Sequence, residues 1–445
     1  MKNTFLTIIL FATFIITNAQ ESLLQSGPMV GYSTMKEVML WVQTNQEAQV
    51  YFEYWDKSFP AKKFKTDETL TLKKDVFVAR LLADQLEPGI QYEYALYINN
   101  KKIERPYKLE FESQPLWLWR GDAPDFSFAT GSGAYIGEQK YDRPGTPYGG
   151  DYQIFEDIYK KDPNFMLWLG DNIYLREADW NSKTGILHRN THARSTPEMQ
   201  AMLGSMHNYA IWDDHDFGPN DSDRSYPLKK ESEKAFKLFF TNPNYIFDEG
   251  TTGHFQWADC EFFLMDNRYW RTPNKRTDIE DHQILGDEQI EWLLDALVNS
   301  YAPFKFVVMG GEFLNPAQSY ERYAHYAPQE RQRIIEAIEK LRINGVVFLT
   351  GDVHYTELSK LDLTDGYPLY DITISPLTSH ANKNKLSHNP LQVEGTLVTE
   401  RNYAHIKVFG TRKERALEIN VYDSDGALQW TKVIEAGDLR FERKQ

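Results

Sequence analysis

The first quarter of the chain alternates apolar and polar residues with a period of two. Val38 and Leu40 lie on one face of such a run, and similar runs follow at residues 76–82 and 92–98. This period is typical of β-strands that have one face buried. Short strands at this spacing predict a small all-β sandwich over residues 20–114.

A corner motif refines this prediction. The stretch Leu86-Glu-Pro-Gly-Ile-Gln-Tyr92 resembles the Leu-x-Pro-x-x-x-Tyr stretch of fibronectin type III domains, in which the tyrosine closes a corner. We therefore expect a fibronectin III/Ig-like sandwich. Its residues form no catalytic pattern, so a role in packing or orientation is the default expectation.

Beyond residue 115 the pattern changes to short apolar runs separated by helical periods. Residues 165–169 and 346–350 are apolar runs too short for a helix, and they predict buried strands. Apolar residues recur at helical spacing over 287–297 and 328–341. Alternating strands and helices predict a layered α/β domain over residues 115–445.

Three of the apolar runs end in residues of types that commonly bind metals, namely aspartate, histidine and tyrosine. These are Asp171 and Tyr174 after the first run, Asp213, Asp214 and His215 after the second, and Asp352 and His354 after the third. Because open α/β sheets place their sites at the carboxyl ends of strands, we expect these side chains to meet. Each motif alone has a plainer explanation, as a helix cap, an acidic turn or a core histidine. Together they predict a site for two or more metal ions.

The residue types narrow the chemistry of this site. A phenolate such as that of Tyr174 favours a hard ion of high charge, for example ferric iron. Asp352 and His354 lie two residues apart, so on an extended backbone they would project to the same side. His215 is expected to donate a proton to a departing alkoxide or to stabilise its charge.

A fourth strand end carries arginines. Asp266, Arg268 and Arg271 follow an apolar run, and the fork of Arg268 suits bidentate binding of a phosphate oxyanion. Arginines are also frequent ion-pair partners, so a purely structural role for Arg268 stays open.

Composition and charge restrict the partners and the compartment. The formal net charge of −15 argues against nucleic-acid scaffolding and against binding to anionic membranes.

Residues 1–19 combine Lys2, an apolar core and a small-residue end, which predicts a secretory signal peptide and a secreted or periplasmic protein. No integral membrane segment is expected after its removal. Cys260 is the single cysteine, so no internal disulfide can form.

The four motifs in this order, Gly-Asp-x-x-Tyr, Trp-Asp-Asp-His-Asp, Asp-x-Arg and Gly-Asp-Val-His, resemble the alkaline phosphatase D (PhoD-like) family of calcineurin-like metallophosphoesterases. The resemblance covers residues from about 27 to 432. It implies a four-layer αββα catalytic domain and a metal cluster that contains iron or calcium. By position, it implies metal ligation by Asp171, Tyr174, Asp214, Asp352 and His354, with His215 near the leaving group.

Gly133 departs from the family pattern. Relatives commonly carry a cysteine that ligates iron in a Gly-Ser-Cys-like setting, whereas this chain has Gly131-Ser132-Gly133. Without that soft ligand iron is less favoured, and calcium, zinc, manganese or magnesium are alternatives. Ser132 or a water molecule would have to replace the missing ligand.

The resulting prediction is a secreted metal-dependent phosphoesterase that hydrolyses phosphate monoesters, in the manner of an alkaline phosphatase, by metal-activated water. Its substrate would be a small-molecule or polymer-linked phosphate ester. The alternative within enzymes is a phosphodiesterase or phospholipase D-like activity. A deep pocket ending near His215 would favour monoesters, and an open groove would favour diesters. From other classes, a secreted carbohydrate-binding or adhesion protein and a structural calcium-binding protein stay open.

Overall fold

The computed structural model describes residues 23–278, 281–382 and 388–442, so the predicted signal peptide at 1–19 lies outside the described residues. The described chain forms two compact units. The first contains the chain up to Leu116 together with Arg194–His207, and the second contains the rest. The sequence pattern gave no sign that Arg194–His207 belongs to the first unit.

The first unit is built from two antiparallel sheets. Its strands are β1 (Leu24–Ser33), β2 (Val38–Thr44), β3 (Gln49–Asp56), β4 (Lys63–Lys65), β5 (Thr69–Leu70), β6 (Val78–Ala83), β7 (Gln91–Ile98), β8 (Lys101–Ile103) and β9 (Glu110–Glu112). Strands β1, β2 and β6 are neighbours in one sheet, and the other has the order β4-β3-β7-β8. Alternating side chains such as Leu40 and Phe52 fill a shared core between them. The predicted all-β sandwich is confirmed.

Two details of this unit bear on the sequence predictions. The Tyr92 hydroxyl accepts a hydrogen bond from the Glu87 N–H at 2.8 Å, which closes the predicted corner. The strand predicted at 76–82 begins only at Val78, however, because Val76 and its neighbour adopt left-handed backbone conformations after a short 3-10 turn. The predicted start of that strand was wrong by two residues.

The second unit contains a pair of sheets. Their strands are β10 (Phe126–Gly131), β11 (Phe165–Leu169), β12 (His207–Ile211), β13 (Gly253–Trp257), β14 (Cys260–Leu264), β15 (Lys305–Val308), β16 (Val346–Thr350), β17 (Glu357–Asp362), β18 (Pro368–Thr373), β19 (Asn402–Phe409), β20 (Ala416–Asp423) and β21 (Leu428–Glu435). One sheet runs β21-β20-β19-β10-β11-β12 in this unit, and the other runs β13-β14-β15-β16-β18-β17. The sheets pack face to face through aromatic rings. Phe128 meets Phe262 at 5.5 Å and Phe306 at 5.7 Å between ring centroids.

Helices cover the outer faces of this pair of sheets. The helices of the second unit are Ile154–Lys160, Lys183–Arg194, Asp214–Phe217, Lys229–Phe239, Asp287–Asn299, Tyr323–Tyr326 and Pro328–Lys340. Phe155 packs on Trp168 of β11, and Trp292 packs on Phe263 of β14. Both ring contacts lie on the strand faces opposite to the inter-sheet core. The helix–sheet–sheet–helix order confirms the predicted αββα fold class.

Within residues 23–278, 281–382 and 388–442, no helix has the length and apolar content needed to span a bilayer.

A buried polar network connects the segment that follows β15 to the start of β17. The Arg322 Nε donates to Glu312 at 2.5 Å, and the Tyr355 hydroxyl donates to the same carboxylate at 3.0 Å. Asn315 bridges Glu312 to Glu357, with its amide nitrogen 3.1 Å from the Glu357 Oε1. Burial and the charge of Glu312 raise the pKa of Glu357 to about 8.

This raised pKa predicts a pH-dependent stability. Between about pH 4.5 and about 8 the folded chain keeps a proton on Glu357 that the unfolded chain loses, so stability falls as the pH rises. The slope from this group is up to about 1.4 kcal/mol per pH unit. Glu357→Gln keeps the shape and removes the proton, so urea unfolding at pH 5 to 8 should show a flatter dependence for the variant. The exposed control Glu394→Gln should follow the wild type, and parallel curves for all three proteins would contradict the prediction.

Candidate metal centre

The first site residue, Asp171, stands in a tight turn after β11. Gly170 and Asp171 both have positive φ, at 89° and 51°. A side chain at Gly170 would place its Cβ 2.7 Å from the Cβ of Asp213, so the turn requires glycine. In this position the Asp171 Oδ1 accepts a hydrogen bond from the His215 N–H at 3.3 Å.

The acidic run after β12 is folded by a reciprocal helix cap. The Asp213 Oδ1 accepts from the Asp214 N–H at 2.9 Å, and Asp216 accepts from the Asp213 N–H at 2.9 Å. Asp216 also accepts from the Asn172 N–H at 3.1 Å. Asp216 is thus a structural carboxylate that holds the turn after β12.

The structure brings five of the predicted residues into two overlapping groups. In each group the ligand atoms lie within 4.8 Å of one another, and the groups are Asp171, Asp214 and His215, and Asp213, Asp214 and Asp352. His215, which we predicted as a catalytic residue, therefore also lies within a potential ligand group.

Several ligand atoms in these groups are buried and lack partners. The Asp171 Oδ2, Asp213 Oδ2, Asp214 Oδ1 and His215 Nδ1 form no hydrogen bond within the part of the chain that the structure describes. Unpaired buried acceptors are costly, and buried like charges repel one another. Cations at this position would satisfy both requirements, so the donor set fits a metal cluster.

The ionisation of these acids reflects their crowding. Burial raises the pKa of Asp171 and of Asp352 well above the ordinary value, and the neighbouring carboxylates add to the effect. Burial raises the pKa of Asp213 to about 6, although Arg268 opposes the shift. Burial acts in the same direction on Asp214, but the interactions with His215 and Arg268 and the hydrogen bond from the Asp221 N–H outweigh it and lower that pKa.

Asp352 and His354 reach the site by a different backbone path from the one predicted. The strand ends at Thr350, and both residues have positive φ, at 67° and 62°, so the expected extended backbone is wrong. Side chains from distant segments hold this turn. The Ser132 Oγ bonds the Asp352 N–H at 3.0 Å, and the Ser375 Oγ bonds the His354 N–H at 3.1 Å.

His354 faces Tyr174 rather than the carboxylate groups. Its Nδ1 lies 2.7 Å from the carbonyl oxygen of His380, which places the ring proton on Nδ1. The Nε2 is then free to act as an acceptor and lies 3.2 Å from the Tyr174 hydroxyl. The Tyr174 ring in turn packs on the His215 ring at 4.3 Å between centroids. A backbone carbonyl thus fixes the orientation of the imidazole, and metal binding by His354 stays a prediction.

The predicted replacement of a cysteine by Gly133 has a steric counterpart. Gly133 has a φ of 73°, and a Cβ there would lie 2.9 Å from the Ser379 Oγ. This backbone does not accommodate a cysteine without rearrangement. Ser132 is buried and its Oγ already bonds the Asp352 N–H and the Ile374 carbonyl, so it is engaged elsewhere.

Arg268 is fully buried beside the acids. Its Nε donates to the Asp213 Oδ1, and its Nη2 donates to Glu321 at 2.5 Å. Asn267 donates to the same Asp213 oxygen at 2.7 Å. Only the Nη1 of Arg268 lacks a partner within the described residues. The predicted contact with phosphate stays a prediction, and the visible role of Arg268 is to fix Asp213.

Sequence reasoning missed several supporting residues. Asn267 and Glu321 complete the surroundings of Arg268, but Glu321 lies more than fifty positions along the chain, and no local pattern joins the two. Arg176 lies two residues after Tyr174 and is buried near the site. Its spacing from Tyr174 was the available signal, since alternate residues of an extended segment share a face.

The profile of the PhoD-like phosphatase family matches residues 128–430, which is more than half of the chain and includes every predicted site residue. The chain belongs to the PhoD-like phosphatase family. The predicted family resemblance is confirmed. Residues 21–116 separately match a domain of unknown function (DUF7800).

This PhoD-like phosphatase is similar to individual proteins in sequence and in fold. Alkaline phosphatase D of Bacillus subtilis (strain 168) is 25% identical over 330 residues, which covers 63% of this chain and about half, 53%, of that relative. A solved structure of PhoD matches with a TM-score of 0.75 at 19% identity, covering 95% of this chain and 93% of its own. Purple acid phosphatase PPD1 from yellow lupin (Lupinus luteus) seeds matches with a TM-score of 0.69 at 13% identity, covering 92% and 74%. These two structures support the metallophosphoesterase fold.

Proposed function

We propose that the protein is a metal-dependent phosphoesterase that hydrolyses phosphate monoesters. The observation that carries the proposal is the set of four buried ligand atoms without partners, on Asp171, Asp213, Asp214 and His215, within a PhoD-like phosphatase domain. Asp352, His354 and Tyr174 would complete the metal-binding set. Bound metal ions would neutralise phosphate charge and lower the pKa of the attacking water.

The residues of the chain contribute to the reaction by position. His215 lines a cavity beside the acids, while its Nδ1 is buried and lacks a partner within the described chain. If Nδ1 serves as the acceptor toward the cluster, the ring proton lies on Nε2. That N–H would donate a hydrogen bond to the leaving oxygen and stabilise its developing charge. Arg268 would keep Asp213 ionised and in place.

The shape of the cavity favours monoesters over diesters. The cavity has a volume of about 270 Å³, and Tyr174 and His215 are part of its lining. This volume lies at or below the low end of the usual range for ligand pockets, which begins at about 300 Å³. A compact phosphate ester would fit such a cavity better than the two substituents of a diester.

Metal analysis combined with turnover tests the proposal. We expect two or more tightly bound metal ions per chain and hydrolysis of 4-nitrophenyl phosphate in preference to bis(4-nitrophenyl) phosphate. Chelation should reduce the rate by about a hundredfold or more, since a metal supplies several kcal/mol of transition-state stabilisation. Reconstitution with calcium, iron, zinc, manganese or magnesium would identify the metals, which the absence of a cysteine at Gly133 leaves open.

Other outcomes of this experiment are informative. Full activity in metal-free protein would refute the metal-dependent reaction. A diester preference would favour the phosphodiesterase alternative. Bound metal without turnover of either ester would favour a binding or structural role.

We also propose that the protein acts outside the cytoplasm, as a secreted or periplasmic enzyme. The support is the basic and then apolar sequence of residues 1–19. N-terminal sequencing of the protein from its native host should show a mature chain that begins near Gln20. An intact N-terminus at Met1 in a soluble cell fraction would contradict export.

A further inference from the structure

The cavity next to the acidic groups carries an unusual arginine. Arg176 is 6% exposed and lines the cavity together with His215. Its guanidinium lies 4.7 Å from the ring centre of Tyr135 and 5.5 Å from that of Tyr174. Stacking on two rings holds the planar group in place at a low cost in conformational entropy.

The remaining contacts of Arg176 fix its orientation without neutralising it. Its Nε donates to the Tyr135 hydroxyl at 3.2 Å, and that hydroxyl donates to Asp142 at 2.6 Å. Asp179 accepts from the Arg176 backbone N–H at 2.9 Å and pairs with the guanidinium of Arg189 at 2.8 Å. Within the described chain, no carboxylate forms an ion pair with the Arg176 side chain. Its Nη1 and Nη2 also lack acceptors among those residues.

The other charges around the cavity add to this positive character. Arg143 stands exposed at the cavity wall. The one acid of the lining, Asp142, is already occupied, since its two oxygens accept from the Tyr135 hydroxyl and from the Glu138 N–H at 2.8 Å. The cavity lining therefore carries two arginines against one carboxylate, in a chain of net charge −15. A buried arginine without an anionic partner is a ready binding group for an anion.

We infer that this cavity receives the leaving-group part of the substrate, and that Arg176 selects compact phosphate monoesters whose alcohol part carries a second anion. The inference rests on the proposed phosphoesterase function. His215 lines the cavity and also belongs to one of the acidic groups, and its ring packs on that of Tyr174. A phosphate bound at the acidic groups would therefore direct its ester oxygen into the cavity. The second anion can be a carboxylate or another phosphate, because the fork of Arg176 binds both in the same way.

Matched pairs of esters test this selectivity. For a carboxylate, 2-phosphoglycolate is compared with ethylene glycol monophosphate; for a phosphate, 1,3-propanediol bisphosphate is compared with 3-hydroxypropyl phosphate. In at least one pair, we expect the wild type to favour the ester that carries the second anion by about tenfold or more in kcat/KM. This factor corresponds to roughly 1.4 kcal/mol. The pair with the larger ratio identifies the second anion.

Three variants separate recognition from a structural role. Arg176→Met should bring the ratio of kcat/KM within a pair close to one, whatever its rate on the ester without the second anion. Arg176→Lys should retain part of the preference. The matched control is Arg333→Met, which removes an arginine from a surface ion pair with Asp287 and should keep the wild-type ratio. Equal losses on both members of a pair in Arg176→Met would show a merely structural arginine and would overturn the inference.

A binding measurement separates this inference from the proposed reaction. Phosphonates are not hydrolysed, so calorimetry of 3-phosphonopropionate against 3-hydroxypropylphosphonate reports recognition without turnover. Tighter binding of the first ligand to wild type, and not to Arg176→Met, would support the cavity assignment even if no ester were hydrolysed. Such binding without hydrolysis of any ester would refute the proposed phosphoesterase function and leave the cavity assignment intact. Hydrolysis without any anion preference in either assay would refute the inference alone.

Discussion

Replacing Asp171 with asparagine should nearly abolish ester hydrolysis and, at the same time, stabilise the metal-free protein. Asp171 belongs to one of the two ligand groups, and its Oδ2 lacks a hydrogen-bond partner within the described residues. Loss of roughly 4 kcal/mol of metal-derived stabilisation corresponds to a rate at least about 10³-fold lower. Removing one of several crowded buried acids should add about 1 to 2 kcal/mol of stability in chelator.

The measurement pairs kcat/KM of the metal-loaded enzyme with urea unfolding of the chelated protein. Asp371→Asn is a matched control, because Asp371 is also buried but fully bonded. Its Oδ2 accepts from the Phe313 and Leu314 N–H groups at 2.8 and 2.9 Å, and its Oδ1 accepts from the Thr350 hydroxyl at 2.7 Å.

The two variants should move stability in opposite directions. An amide nitrogen cannot accept hydrogen bonds, so Asp371→Asn should lose about 1 to 3 kcal/mol. If Asp171→Asn lost stability to the same extent in chelator, Asp171 would be a structural carboxylate. The assignment of a metal cluster would then lose its main support.

Opposite changes in stability and activity would reflect a general property of such sites. The turn at Gly170 and Asp171 holds acids together although burial and mutual repulsion oppose their charged forms. The rest of the fold must supply the stability that the site lacks. The aromatic packing between the two sheets, such as Phe128 against Phe262, is one source of it.

The strands that carry the site were predictable from sequence because they are buried on both faces. A continuous apolar run needs no partner information to be recognised, and residues 346–350 were predicted with the bounds that β16 has. The residue types at the strand ends then pointed to metal binding. This reasoning works because strand direction alone brings the ends of neighbouring strands together.

The conformation beyond the strand ends was not predictable in this way. Asp352 and His354 adopt positive φ because the hydroxyls of Ser132 and Ser375 bond their N–H groups from distant parts of the chain. Gly133 shows the same limit. Its sequence neighbours suggested a lost ligand, whereas the structure shows a left-handed position with no room for a side chain.

The sequence left two roles open for Arg268, phosphate binding and a structural ion pair, and its replacement should have the second large effect. Arg268→Met would leave the buried carboxylate of Asp213 without its cation, and Glu321 would keep only the more distant Arg271, at 3.7 Å, as an ion-pair partner within the described residues. Breaking a buried ion pair from one side costs about 3 to 5 kcal/mol, so urea unfolding in chelator should show a loss of that size. The surface control Arg333→Met should change stability by no more than about 0.5 kcal/mol.

A second substitution decides what that loss means. Arg268→Met combined with Glu321→Gln also removes the carboxylate charge that Arg268 contacts through its Nη2. The double variant should recover part of the lost stability, because both residues belong to one network. If Arg268 acts through Asp213, the single variant should lower kcat through a misplaced ligand, and Arg268→Lys should restore stability only in part. If the single variant instead kept its stability and mainly raised KM, Arg268 would bind the substrate phosphate, which is the other role that the sequence left open. Because Arg268 is buried between two carboxylates, we expect the loss of stability and the lower kcat.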